Sequence, residues 1–190
     1  QWVDSVMNSL SLRQKIAQLF MVASYSNRGQ EHIDEIAKLV KEEGIGGLCF
    51  FQGGPVRQAQ QTNYYQSLAK VPLLLSMDAE WGLGMRLDST ISYPRQMALG
   101  AMDDNRLIYH MGADIARQMK RLGVHINFAP VVDVNNNPAN PVINTRAFGE
   151  DKEFVTQKGL AYMLGLQDNG VLACAKHFPG HGDTDTDSHY

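Results

Sequence analysis

Residues 176–190, reading Lys176-His177-Phe178-Pro179-Gly180-His181-Gly182-Asp183-Thr184-Asp185-Thr186-Asp187-Ser188-His189-Tyr190, gather three of the six histidines, three aspartates and one lysine. A packed core needs none of these groups, and the prolines and glycines among them mark a loop. Asp187 and His189 stand two residues apart. In an extended segment or a tight turn, such a carboxylate reaches one imidazole nitrogen and fixes its tautomer. The other nitrogen is then free to transfer a proton near neutral pH. Taken alone, the triplet is better explained as a solvated polar loop. His177, His181 and Asp183 raise a rival, a zinc or manganese site, although His-x-x-x-His across Pro and Gly is no helical pair and no second ligand cluster accompanies it. Asp183, Asp185 and Asp187 begin like a calcium loop, but Ser188 stands where that loop requires glycine.

Two stretches upstream carry compatible chemistry. Asp78-Ala79-Glu80-Trp81-Gly82-Leu83-Gly84-Met85-Arg86 offers a carboxylate that accepts from sugar hydroxyls, an aromatic face, and a guanidinium that donates to oxygens. Asn144-Thr145-Arg146-Ala147-Phe148-Gly149-Glu150-Asp151 places Arg146 in a long loop from which it can point at the same pocket. Singly, each is also explained by a local ion pair, such as Arg146 with Glu150 or Asp151.

These stretches must be positioned by the elements before them. Apolar runs near positions 21, 48, 75, 127 and 173 read as strands. The spans in question are 20–23, 45–51, 71–78, 124–133 and 171–175. Between them lie helical patterns over 12–20, where Ser11 and Gln14 form a capping box, and over 31–43, 56–70, 105–122 and 152–168. In the fourth of these, Leu107, Ile108, Met111, Ile115 and Met119 are expected to face inward. Long loops over 79–104 and 134–149 complete the pattern. Alternation of this kind predicts a parallel sheet covered by helices. Asp78, Asp133 and Lys176-His177 each follow a strand's C-terminal end, where α/β folds build their sites. No Gly-x-Gly-x-x-Gly follows the first strand and no phosphate-loop lysine is present, so no nucleotide cofactor is expected. A barrel of eight strands is favoured, of which this chain supplies about five, because the full barrel takes ~250 residues.

Composition narrows the partners. With 17 basic and 20 acidic residues and a formal charge of −3, the chain lacks the basic surface that nucleic acid requires. No apolar run reaches the ~18 residues of a membrane span. Cys49 and Cys174 both fall in strand-like runs, where they are expected as buried reduced thiols.

Taken together, the stretches resemble a family. Lys176 to His189 is similar to the signature of the β-N-acetylhexosaminidases of glycoside hydrolase family 3. In order and approximate spacing, so are Asp78-x-Glu80 with Arg86, Tyr93-Pro94 with Met97-Ala98-Leu99-Gly100, the run from Asn127 to Val134, and Arg146-x-Phe148-Gly149. The resemblance implies a TIM-like (β/α)8 barrel and retaining hydrolysis of terminal β-linked N-acetylglucosamine, with peptidoglycan fragments as a substrate source. It implies His189 as acid/base and Asp187 as its dyad partner. Asp78, Arg86, Arg146, Lys176 and His177 would hold the sugar, with no metal and no cofactor. The nucleophile in the family is an Asp on a later strand, so residues 1–190 are expected to be the N-terminal part of one catalytic domain, truncated at its C-terminus. Its main partner would then be the remainder of that domain. Where the family usually reads Asp-x-Glu-Gly-Gly, Trp81 replaces the first glycine. A non-catalytic carbohydrate-binding protein and a metal-dependent barrel hydrolase remain as alternatives.

Overall fold

A computed structural model describes residues 1–188. After two short helices, α1 (Trp2–Ser9) and α2 (Leu12–Ala17), strands and helices alternate: β1 (Met21–Ser24), α3 (Gln30–Lys38), β2 (Gly47–Phe50), α4 (Pro55–Leu68) and β3 (Leu74–Met77). There follow α5 (Gln96–Gly100), α6 (Asn105–Arg121), β4 (Ile126–Asn127), α7 (Lys152–Gln167) and β5 (Leu172–Ala173). The capping box is formed, with Ser11 and Gln14 each accepting from the other's backbone N–H. The helix expected over 31–43 is α3 continued by a π turn, Leu39–Glu43, that ends at Gly44.

The five strands form one sheet in the order β1-β2-β3-β4-β5, each parallel to its neighbour. Sequential order without a reversal is the winding of a (β/α) barrel, whereas a doubly wound sheet turns back on itself. Side chains alternate accordingly. Leu48, Phe50, Leu75 and Met77 are fully buried on one face of β2 and β3. The opposite face carries the half-buried Cys49, and Leu74 and Leu172 at 41% and 57% exposure. The chain is therefore α/β, with five consecutive parallel strands of a TIM-like barrel, the first four each followed by a helix among the described residues. Both cysteines are free and half-buried rather than fully buried, because each lies away from the closely packed side of the sheet or at its last strand.

Helix α6 buries Ile108, Met111, Ile115 and Met119 as expected, but Leu107 is 53% exposed. At ~100° per residue Leu107 falls to the side of that stripe, so it faces outward instead. The expected strand over 124–133 is narrower than its apolar run. Ladder-like bonds continue beyond Ile126–Asn127, from His125 N to Leu75 O and from Phe128 N to Met77 O. Pro130 then removes a donor and interrupts the ladder, and pairing resumes only as an isolated parallel bridge between Val131 and Lys176. Helix α5, inside the long loop over 79–104, has no counterpart in the sequence pattern. It is held by the buried Gln96 amide, which donates to Val131 O at 2.6 Å and accepts from Val131 N at 3.1 Å.

Candidate active site

The loops after β3, β4 and β5 meet at the C-terminal rim of the sheet. The first begins at Asp78. Its Oδ2 accepts from Arg86 Nη2 at 2.7 Å and its Oδ1 from Lys176 Nζ at 2.9 Å, so the loops after β3 and β5 are tied through one carboxylate. Burial raises the Asp78 pKa, but the Lys176 ammonium and the Arg86 guanidinium outweigh it and leave the group below its ordinary value.

Glu80 lies beneath this pair with only 1% of its side chain exposed. Arg146, from the loop after β4, grips it in a two-point fork, Nε to Oε2 at 3.0 Å and Nη2 to Oε1 at 2.8 Å. Lys176 Nζ adds a third contact, 2.8 Å from Oε1. Burial again raises the pKa, and the Arg146 bonds and the Lys176 charge bring it below the ordinary value. The backbone that aims Glu80 is itself fixed. Asn127 of β4 pairs its side-chain amide with both N and O of Ala79, and the buried Tyr162 hydroxyl donates to the Ala79 and Glu80 carbonyls.

His177 completes the rim. Its Nδ1 is 2.6 Å from Asp133 Oδ2 and its Nε2 is 3.3 Å from Arg146 Nη2. The loop then folds back over residues 134–140. Asn140 Nδ2 donates to the His181 carbonyl at 2.6 Å, and Asn137 Nδ2 donates to the carbonyls of Asp183 and Thr184 at 3.2 Å each. Gly182 fits because any Cβ there would overlap the Val134 carbonyl. His181 and His177, the rival metal pair, are each engaged through both ring nitrogens, His181 with Thr184 Oγ1 and Ser188 Oγ. Among the described residues no group of three or more His, Cys, Asp or Glu is arranged to hold a metal ion.

The sequence pattern of the glycosyl hydrolase family 3 N-terminal domain matches residues 11–190. The chain belongs to that family. It is 38% identical over 168 residues to beta-hexosaminidase A of Pseudoalteromonas piscicida, covering 82% of this chain and 28% of that protein. A family 3 beta-N-acetylglucosaminidase from Paenibacillus sp. str. FPU-7 superposes with a TM-score of 0.86 at 39% identity, covering 96% of this chain and 36% of that one. The beta-glucoside phosphorylase BglX bound to 2FGlc superposes with a TM-score of 0.91 at 28% identity, covering 99% of this chain and 34% of that one. The chain thus spans roughly a third of the length of these relatives.

All five residues expected to bind sugar, Asp78, Arg86, Arg146, Lys176 and His177, come together in this family 3 chain. Arg146 pairs with Glu80 and not with its sequence neighbours Glu150 or Asp151. Asp187 is half-buried in the same loop, and His189, the expected acid/base, lies outside the described residues. Trp81 is stacked by the Arg95 guanidinium, 4.2 Å from the ring centroid. Sequence reasoning gave no role to Glu80, Asp133, Asn137 or Asn140. Asp133 had a signal, since it follows a strand as Asp78 does. Glu80 had one in the Asp78-x-Glu80 motif, whereas Asn137 and Asn140 are defined by partners from a distant loop.

Proposed function

We propose that this chain is the N-terminal part of the catalytic barrel of a retaining glycoside hydrolase that removes terminal β-linked N-acetylglucosamine, with peptidoglycan fragments or similar glycans as substrates. The observation that carries the reading is the convergence of Asp78, Arg86, Arg146, Lys176 and His177 on one rim. Carboxylate oxygens accept from sugar hydroxyls, and guanidinium and ammonium groups donate to their oxygens. Three cations, Arg86, Arg146 and Lys176, face three carboxylates, Asp78, Glu80 and Asp133, so the site is charge-balanced and suits a neutral sugar.

His189 is the acid/base in this reading, and Asp187 stabilises its imidazolium before the proton passes to the leaving oxygen. A retaining reaction also needs a nucleophile, assigned here to an Asp on a strand that follows residue 190. Likeness to a phosphorylase as well as to glucosaminidases makes the sugar acceptor a second question. The full-length protein is therefore assayed with an aryl β-N-acetylglucosaminide, with and without inorganic phosphate, and with chelator. Release of free N-acetylglucosamine that is unaffected by chelator supports the hydrolase. Sugar phosphate formed only when phosphate is present identifies a phosphorylase, and binding without turnover identifies a non-catalytic carbohydrate-binding protein. Loss of turnover with chelator points to the metal-dependent hydrolase.

A further inference from the structure

Asp133 follows β4 with 1% of its side chain exposed, and its hydrogen bonds go to the loop that starts at Lys176. Oδ2 lies 2.6 Å from His177 Nδ1 and accepts the His177 backbone N–H at 3.2 Å, while Oδ1 accepts the His181 N–H at 2.7 Å. Burial pushes this carboxyl's pKa up, but the hydrogen bonds from the His177 ring and the two backbone N–H groups bring it below the ordinary value. It is therefore ionised at neutral pH and can only accept. On the far side of the ring, Arg146 Nη2 is 3.3 Å from His177 Nε2, and a guanidinium can only donate. A ring set between an obligate acceptor and an obligate donor has one consistent arrangement, with the proton on Nδ1 and the lone pair on Nε2. An imidazolium does not fit, because its Nε2–H would point at the guanidinium N–H.

We propose that Asp133 is a positioning residue for the reaction: it locks His177 as the neutral Nδ1–H tautomer and, through the His177 and His181 backbone, fixes the base of the loop that carries Asp187, two residues before His189 in sequence. The catalytic half of this rests on the glycosidase reading above, and the tautomer half does not. With His177 neutral, its one lone pair, on Nε2, accepts from Arg146 and so helps to orient the guanidinium assigned to the sugar, and the balance of three cations to three carboxylates is kept. Asparagine at 133 conserves the shape but has one acceptor oxygen where Asp133 uses two. It cannot serve both the His177 ring and the His181 N–H. If its NH2 faces Nδ1, the ring proton is driven to Nε2, against Arg146.

The test uses the full-length protein with 15N-labelled histidine, the His177 signals being assigned with His177→Gln and the tautomer read from long-range 1H–15N spectra. Wild type is expected to carry its proton on Nδ1. Asp133→Asn is expected to show Nε2–H or mixed tautomers and to lose about 100-fold in kcat/KM on an aryl β-N-acetylglucosaminide, the scale of a small misplacement of a binding group. Wild-type His177 protonated on Nε2 or on both nitrogens overturns the proposal without any variant being needed, so poor folding of Asp133→Asn does not shield it. It is equally overturned if the variant keeps its kcat/KM, or loses it while His177 keeps its tautomer. Wild type that turns over no glucosaminide defeats the glycosidase reading, and the spectra still decide the tautomer.

Discussion

A buried ion-pair network holds the rim together, and its members differ in what their loss does. Glu80 is the acceptor for both Arg146 and Lys176, so Glu80→Ala leaves two cations without their carboxylate in a largely buried setting. Removing one partner of a buried pair costs about 3–5 kcal/mol, and denaturant unfolding of the full-length protein is expected to show a loss of that size. Asp78 stands nearer the surface and is assigned to the sugar. Asp78→Ala is expected to lower kcat/KM by roughly 30-fold, which corresponds to about 2 kcal/mol for hydrogen bonds to a charged group. His189→Ala, in contrast, should slow glycosylation most for substrates with poor leaving groups, since those need the proton. Equal loss across a series of aryl leaving groups would count against its acid/base role. At this scale Asp78, Lys176 and His177 were legible because titratable groups just past a strand end have few structural uses. Glu80 stood in the Asp78-x-Glu80 motif but its role was not legible: nothing in Asp78-Ala79-Glu80-Trp81 says that its carboxylate turns inward to meet a guanidinium 66 positions away.

Elements carry the site by close approach. Helices α6 and α7 cross where Gly112 and Gly165 meet, and a Cβ on Gly165 would overlap the Tyr109 carbonyl and crowd Gly112. Gly165→Ala is therefore expected to destabilise by about 1–3 kcal/mol, the usual range for overpacking, read as a lower midpoint in denaturant. Little effect on that midpoint would mean that the two helices can part without loss. The long helices were readable from apolar spacing, and the short α2 from its capping box of Ser11 with Gln14. Helix α5 was not, because what fixes it is one buried glutamine pairing with Val131 in the segment after β4, a tertiary bond with no local pattern. Strands β4 and β5 are shorter than their apolar runs for a related reason: apolarity marks burial, and burial continues past the point where Pro130 interrupts the ladder.

Across the whole molecule, the parallel sheet in sequential order places the three charged loops on one rim, and alternation alone was enough to predict that sheet. The three rim carboxylates, Asp78, Glu80 and Asp133, have folded pKa values below their unfolded ones. Their contribution to stability is thus complete above the ordinary carboxylate range near ~4 and is lost as pH falls through the lowered folded values. Unfolding midpoints are expected to hold from neutral pH down to that range and to drop below it. A flat profile through acid would show that the network adds nothing to the fold. Residues 1–190 alone also expose Leu12, Ile16, Leu19 and Phe20 beside an apolar hollow of about 590 Å³ lined by Val22, Leu39 and Ile45. Expressed without further sequence, they are expected to bind a hydrophobic dye and to turn over no glucosaminide. Turnover by that piece would remove the need for a nucleophile elsewhere.

The most direct test of the account is the anomeric form of the first product. The full-length protein is incubated with an aryl β-N-acetylglucosaminide and followed by 1H NMR from the first minutes. Retaining hydrolysis through a covalent intermediate predicts that β-N-acetylglucosamine appears first and only later equilibrates to the α anomer. First appearance of the α anomer, or no release of N-acetylglucosamine at all, would contradict it.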